Sequence, residues 1–76
     1  MKEEPTDIRT TIAARIHELR KQKSITQREL AERSGVSRRT IQAIEAGTVS
    51  PRLDLLEKLA EAMGHTVNLI EKKNNE

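Results

Sequence analysis

Arginine and glutamine side chains cluster in residues 37–47, a segment with the pattern of a short helix that has two different faces. Ser37 and Gly47 are residue types that commonly begin and end a helix. On a helical wheel, Arg39 and Gln42 lie away from the apolar residues of the segment. In the DNA major groove, arginine pairs with the O6 and N7 atoms of guanine, and glutamine with the N6 and N7 atoms of adenine. The segment is therefore predicted to read base edges.

Three neighbouring residues complete the predicted set of base contacts. Ala43 is small enough to let the helix approach DNA closely, and its methyl group can touch a thymine methyl. Ser37 and Arg38 lie in the first turn, where side chains project beyond the helix end, so that each can reach a base or a phosphate. For the arginines, the alternative is an ordinary solvated helix surface. The predicted base-contacting residues are Ser37, Arg38, Arg39, Gln42 and Ala43.

Glu45 is the unexpected residue of this segment, because it lies on the same side as Ile41 and Ile44. A carboxylate that faces an apolar core needs a hydrogen-bonding or charged partner. Arg20 lies at the edge of the apolar stripe of the preceding helical segment. The pattern predicts an Arg20–Glu45 ion pair, and the alternative is an exposed glutamate without a partner.

These side chains must be positioned by a scaffold, and the apolar periodicity predicts four helices. Thr26 and Glu29 form the pattern of a capping box at the start of the second helix, and Gly35 ends it. The connection to the third helix is so short that only a tight turn between two helices fits, as in a helix-turn-helix unit. The predicted helices cover residues 8–23, 26–34, 37–46 and 52–63.

The pattern changes after Gly64, where apolar and polar residues mostly alternate. Alternation and β-branched residues predict a short strand over residues 66–71, with a further helical turn or a disordered end as the alternative. A single strand lacks a partner within the chain, so we expect it to pair with its copy in a second subunit. The predicted dimer interface comprises Leu55, Leu59, Val67 and Leu69.

Length and composition exclude several classes of protein. With 76 residues, 34% apolar residues and no Phe, Tyr or Trp, the chain allows one small all-α domain with an aliphatic core. The absence of cysteine excludes disulfides and cysteine-ligated zinc, and the two isolated histidines do not have metal-ligand spacing. No catalytic residue set, cofactor-binding motif or membrane-length apolar run is present. Binding to single-stranded nucleic acid usually needs aromatic stacking, so that function is disfavoured.

Positive charge is unevenly distributed along the chain. Seven basic and two acidic residues give residues 20–39 a net charge of +5, whereas residues 54–76 carry five acidic and three basic residues, a net charge of −2. The positive charge therefore surrounds the second and third predicted helices. This distribution is typical of a surface that binds a polyanion.

The motifs together resemble a known family. Gln27-x-x-Leu30-Ala31, then Gly35-Val36-Ser37, then Glu45-x-Gly47 at this spacing are similar to the helix-turn-helix of phage Cro and lambda-type repressors, the XRE family. The resemblance covers about residues 12–64. It implies a four-helix lambda-repressor-like DNA-binding domain. The chain departs from the phage repressors after this domain, because the strand predicted from the residue pattern stands in place of their fifth helix.

The resemblance also implies roles for individual residues and for partners. In that family, the position of Gln27 and the loop at residues 48–50 contact DNA phosphates, and an Arg–Glu pair matching Arg20 and Glu45 recurs. The predicted phosphate-contacting residues are Gln27, Arg28, Thr48 and Ser50. The expected function is that of a repressor that binds a palindromic operator as a homodimer. Two alternatives stay open: an antitoxin that also binds a toxin protein, and a protein-interaction module that does not bind DNA.

The expected organisation of the chain has four parts. A flexible tail at residues 1–6 precedes a helix-turn-helix domain at residues 7–64, which is followed by a dimerisation strand at 65–71 and a second tail at 72–76. The expected partners are double-stranded DNA, a second copy of the chain and, for the antitoxin alternative, a toxin. No membrane association, cofactor or metal is expected, and the expected location is the cytoplasm.

Overall fold

Four α-helices form the regular secondary structure of the computed structural model, which describes residues 7–70. The helices are α1 (Ile8–Gln22), α2 (Gln27–Ser34), α3 (Arg38–Glu45) and α4 (Leu53–Ala62). The predicted all-α, four-helix fold is confirmed, with helix ends that differ from the predicted ones by at most one residue. The two predicted tails lie outside the described residues.

Capping side chains explain where α1, α2 and α3 begin. The Thr26 hydroxyl accepts a hydrogen bond from the Glu29 backbone N–H at 3.0 Å, and the Glu29 carboxylate accepts one from the Thr26 backbone N–H at 2.8 Å. The predicted capping box is therefore present at α2. Ser37 caps α3 through the Thr40 N–H, and Asp7 caps α1.

The core is aliphatic and is built from all four helices. Its fully buried side chains are Leu30, Ile41, Ile44 and Leu59. α1 packs on α3, α3 packs on α2, and α2 packs on α4. Val36, the apolar residue of the turn between α2 and α3, is also buried, so the turn itself is anchored to the core.

The predicted strand at residues 66–71 is not seen within the part of that range that the structure describes, residues 66–70. Residues 65–70 have no regular secondary structure, and Glu71 lies outside the described range. The His65 backbone N–H instead donates to the Ala60 carbonyl at 2.8 Å and closes the end of α4. The strand was predicted to pair with its copy in a second subunit, and residues 7–70 of one chain contain no second strand that could take that place.

One residue of the predicted dimer interface is also corrected by the structure. Leu59 is 0% exposed and packs inside the core of its own protomer, so its side chain cannot contact a second subunit. α4 carries two apolar stripes, and the sequence alone does not show which of them faces the core. Leu55 is half-buried at the edge of the core, whereas Val67 and Leu69 are exposed.

Among residues 7–70, no helix is long and apolar enough to span a membrane.

Candidate nucleic-acid interface

α3 is sharply divided into a buried and an exposed face. Ile41 and Ile44 are almost completely buried, whereas Arg39 and Gln42 are exposed on the opposite side and Ala43 is half-buried. The structure therefore leaves the predicted base-contacting side chains accessible on one face of the helix. Ser37 and Arg38, at the start of the helix, are exposed as well.

The turn between α2 and α3 fixes the orientation of that face. Gly35 ends α2 in the left-handed conformation, with φ of 78°, and its N–H donates to the Ala31 carbonyl. The Val36 N–H donates to the Ser34 hydroxyl at 3.1 Å, and the Val36 side chain enters the core. The turn that joins the two helices is thus held by hydrogen bonds to the end of α2 and by burial of the Val36 side chain.

The Ser37 hydroxyl is already used within the protein. It accepts a hydrogen bond from the Thr40 N–H at 3.1 Å and donates to the Thr40 hydroxyl at 2.8 Å. A hydroxyl has one hydrogen to donate, so only acceptor capacity remains for a further partner. As a base contact, Ser37 is therefore limited to accepting unless it gives up its bond to Thr40.

A basic depression lies beside α3. Its charged lining consists of Arg20, Lys21, Arg28 and Arg38, and Gln27 contributes an amide at the first position of α2. The Arg28 guanidinium is exposed, and its nearest carboxylate, Glu32, is 4.0 Å away, which leaves it available to another anion. Part of the predicted concentration of positive charge around α2 and α3 is thus gathered in this depression.

The predicted ion pair between Arg20 and Glu45 is present. The Arg20 Nε atom donates to Glu45 Oε2 at 2.8 Å, and Nη2 donates to Glu45 Oε1 at 3.0 Å. Two parallel hydrogen bonds of this kind are the strongest geometry of an arginine–carboxylate pair. The side chains are 14% and 7% exposed, respectively, so the pair is largely shielded from water.

Two further partners of Glu45 were not predicted from the sequence. The Gln27 amide Nε2 donates to Glu45 Oε1 at 3.2 Å, and His17 Nδ1 lies 3.3 Å from the same oxygen. Arg20 also donates from Nη1 to the Ile25 carbonyl at 3.1 Å. The Arg20–Glu45 pair and its partners therefore join α1, the turn after it, α2 and α3. The sequence indicates the His17 contact only weakly, through the position of His17 three residues before Arg20 on the same helix face.

The protonation of Glu45 reflects two opposing effects. Burial raises the pKa of its carboxyl, but hydrogen bonds from Arg20, Gln27 and His17 lower it, and the net pKa lies below the ordinary value of 4.5. The hydrogen bond to Glu45 raises the pKa of Arg20. Both groups are therefore charged near neutral pH, and the pair is nearly neutral as a unit.

The loop after α3 contains the last two predicted phosphate contacts. The Thr48 hydroxyl donates to the Ala43 carbonyl at 3.2 Å and so closes the end of α3. Ser50 is exposed and makes no side-chain hydrogen bond within residues 7–70. The Ser50 hydroxyl is thus more available for a phosphate contact than that of Thr48. Thr48 has a structural role that the sequence did not indicate.

Comparison with known proteins agrees with the helix-turn-helix arrangement of α2 and α3. A family model described as helix-turn-helix matches residues 16–70. A protein named as an uncharacterized HTH-type transcriptional regulator from Methanothermobacter thermautotrophicus is 53% identical over 49 residues, which cover 64% of this chain and 71% of the relative. The cryptic phage CTXphi transcriptional repressor RstR from Vibrio cholerae is 40% identical over 52 residues, or 68% of this chain and 47% of the repressor.

A solved structure described as a toxin–antitoxin module from Streptococcus pneumoniae is similar in fold, with a TM-score of 0.70 and 36% identity. The match covers 87% of this chain and 73% of that one. The present chain thus spans most of the Methanothermobacter relative and of this solved chain, but less than half of the phage repressor RstR.

Proposed function

The chain belongs to the helix-turn-helix family of DNA-binding transcriptional regulators, and we propose that it is a repressor that binds a palindromic operator as a homodimer. The main support is the exposed face of α3, where Arg39 and Gln42 stand on a helix whose other face is locked into the core. Such a helix fits the major groove, where these two side-chain types distinguish base pairs. The named relatives are regulators and repressors, not enzymes.

Base and backbone contacts have separate roles in this proposal. Arg39 and Gln42 select the sequence, Ala43 permits close approach, and Ser37 and Arg38 contact a base or a phosphate at the start of α3. The phosphate contacts, which set register and orientation without reading sequence, come from Gln27, Arg28, Thr48 and Ser50. Their support is the basic depression beside α3 and the exposure of Arg28 and Ser50.

The proposed dimer uses the exposed apolar surface around α4 and the segment after it. Leu53, Val67, Leu69 and Ile70 are all exposed in the single chain. A two-fold dimer would bury such a surface on both copies and would present two α3 helices to the two halves of a palindrome. In the bacteria, archaea and phage hosts of the relatives, the DNA partner lies in the cytoplasm, which is therefore the proposed location.

A second function is supported by the likeness to the pneumococcal toxin–antitoxin chain. In that case, the protein would bind a toxin in addition to its operator. Expressing the neighbouring open reading frame in a bacterial host tests this. Growth arrest that this chain relieves supports an antitoxin, and normal growth without this chain removes the toxin partner.

The decisive test of the main proposal is selection of binders from random duplex DNA at physiological salt. We expect an enriched motif with two-fold symmetry and half-sites about one helical turn apart. Arg39→Ala should lose the preference at one base pair of each half-site, whereas Arg15→Ala, which removes an exposed charge on α1, should select the same motif. Failure to enrich any motif would favour a protein-interaction module.

A further inference from the structure

Gln27 is bound within the protein at the place where it is proposed to contact DNA. It is the first residue of α2, is half-buried, and lines the basic depression together with Lys21, Arg28 and Arg38. A carboxamide nitrogen carries two N–H donors. One of them is donated to Glu45 Oε1 at 3.2 Å, and within residues 7–70 the side chain forms no other hydrogen bond. One N–H therefore remains for an acceptor outside the protein.

Glu45 provides an unusually fixed acceptor for that amide. Its carboxylate is held by two hydrogen bonds from Arg20 and is only 7% exposed. Arg20 is in turn bonded to the Ile25 carbonyl, one residue before the cap of α2. Since the acceptor is itself held by two hydrogen bonds, the bond from Gln27 restricts a side chain that would otherwise sample many rotamers.

The Glu45 carboxylate can lie close to DNA because Arg20 compensates its negative charge. An isolated carboxylate beside a phosphate would repel it, but Arg20 compensates the charge of Glu45 through the paired hydrogen bonds. The network therefore offers an oriented N–H donor without exposing negative charge. A donor that is ordered before binding loses less conformational entropy when the complex forms.

We propose that Glu45 is a positioning residue for recognition of the DNA backbone: it holds the Gln27 carboxamide so that the second N–H meets a phosphate oxygen. This inference rests on the proposed DNA-binding function. It assigns to the Arg20–Glu45 pair a role in binding in addition to joining α1 to α3. It also explains how one side chain can bond to the core and contact a phosphate simultaneously.

Two matched variants separate positioning from folding. Arg20→Met/Glu45→Leu replaces the pair by apolar side chains, which commonly preserves stability because no buried charge is left alone. Arg20→Met/Glu45→Gln is the control, since it also lacks Arg20 but retains an oxygen that can accept from Gln27. We name these the apolar variant and the amide variant, and Gln27→Ala is added to each and to the natural chain.

The measurement is affinity for the selected operator and for duplexes with one uncharged methylphosphonate at each backbone position in turn. We expect Gln27→Ala to weaken binding by about fivefold to tenfold in the natural chain, and by a smaller factor in the amide variant, whose acceptor is no longer held by Arg20. In the apolar variant, we expect a loss of less than about twofold. The difference should disappear on the duplex whose methylphosphonate replaces the phosphate contacted by Gln27.

Equal effects of Gln27→Ala in both variants would overturn the proposal, as would no effect in the natural chain. Selective DNA binding by the natural chain is the separate requirement of the proposed function, so the two failures are distinguishable. NMR relaxation of the glutamine side-chain amides in the free natural chain gives a test that needs no variant. Gln27 should be more ordered than the exposed Gln22 and Gln42, and equal mobility would also overturn the proposal.

Discussion

Arg20 and Glu45 form a two-point ion pair, with Nε donating to Oε2 at 2.8 Å and Nη2 donating to Oε1 at 3.0 Å. The two residues are 25 positions apart in sequence and lie on α1 and α3. Gln27 on α2 shares the same carboxylate. The position of α3 relative to the other helices therefore depends on a polar cluster as well as on apolar packing.

Removing one partner of this pair should be costly. Arg20→Ala leaves the Glu45 carboxylate largely buried without its main partner, and we expect the free energy of unfolding to fall by about 3–5 kcal/mol. Urea or thermal unfolding measures the loss. The matched control is Arg15→Ala, which breaks an exposed pair with Glu18 and should cost less than about 1 kcal/mol. Equal losses would mean that the buried pair contributes no more to the free energy of unfolding than the exposed pair does.

Stability should also depend on the charge of Glu45 at acid pH. Because its pKa is lowered in the folded chain, the carboxylate contributes stability above its ordinary pKa of 4.5, and this contribution is lost as the pH falls through the lower folded value. The stability gap between the natural chain and Glu45→Gln should therefore narrow below about pH 4.5. Unfolding measured from pH 7 to pH 3 tests this, with Glu18→Gln, which removes an exposed carboxylate, as control. A constant gap would contradict the prediction.

Local signals in the sequence predicted the helices well. The Thr26–Glu29 capping box and the glycine after α2 act within a few residues, so their effect can be read directly from neighbouring positions. The Arg20–Glu45 pair was predictable for a related reason, since a carboxylate on an apolar helix face requires a partner. The roles of Gln27 and His17 were not predictable, because they depend on how three helices meet in space.

The errors concern features that depend on packing or on a partner. Alternation over residues 66–71 suggested a strand that pairs with its copy in a second subunit, whereas residues 65–70 of the single chain have no regular secondary structure and no second strand lies within residues 7–70. Leu59 was placed on a dimer surface because α4 has two apolar stripes, and only the packed structure shows that this residue fills the core. Periodicity identifies an apolar face but does not identify what covers it.

The turn between α2 and α3 should be sensitive to backbone conformation alone. Gly35 has a φ of 78°, yet a Cβ atom at this position would meet no atom within 4 Å. Gly35→Ala should therefore lower the free energy of unfolding by about 1–2 kcal/mol through φ strain and not through a clash. Gly35→Asn should cost less, because asparagine tolerates this conformation better. Thermal unfolding of both variants tests the prediction, and an equal or larger loss with asparagine would refute it.

Base and phosphate contacts should respond differently to salt and sequence. Arg28→Ala should weaken binding to all duplexes similarly and reduce the slope of log affinity against log salt by about 1. Arg39→Ala should cost about 1–3 kcal/mol on the operator and relax selection at one base pair. Titrations at several salt concentrations, on the operator and on single-base variants, distinguish the two. The assignment of roles would be wrong if Arg28→Ala changed sequence preference or if Arg39→Ala weakened all duplexes equally.

The proposed dimer should depend on the exposed apolar residues after α4 and not on the core. Leu69 is 95% exposed, so Leu69→Lys leaves the protomer core intact while placing a charge on the proposed contact surface. We expect the dimer dissociation constant to rise more than about tenfold, since burying a charge without a partner is unfavourable. Thermal unfolding of the protomer should change little. Analytical ultracentrifugation measures the dissociation constant.

Val49→Lys is the matched control for the dimer, because Val49 is an exposed apolar residue of the loop between α3 and α4, outside the proposed contact surface. It should leave the dimer dissociation constant unchanged. In contrast, Leu59→Ala removes a fully buried side chain and should cost about 2–5 kcal/mol of protomer stability, because it creates a cavity in the core. A dimer that survives Leu69→Lys unchanged would place the contact between subunits elsewhere on the molecule.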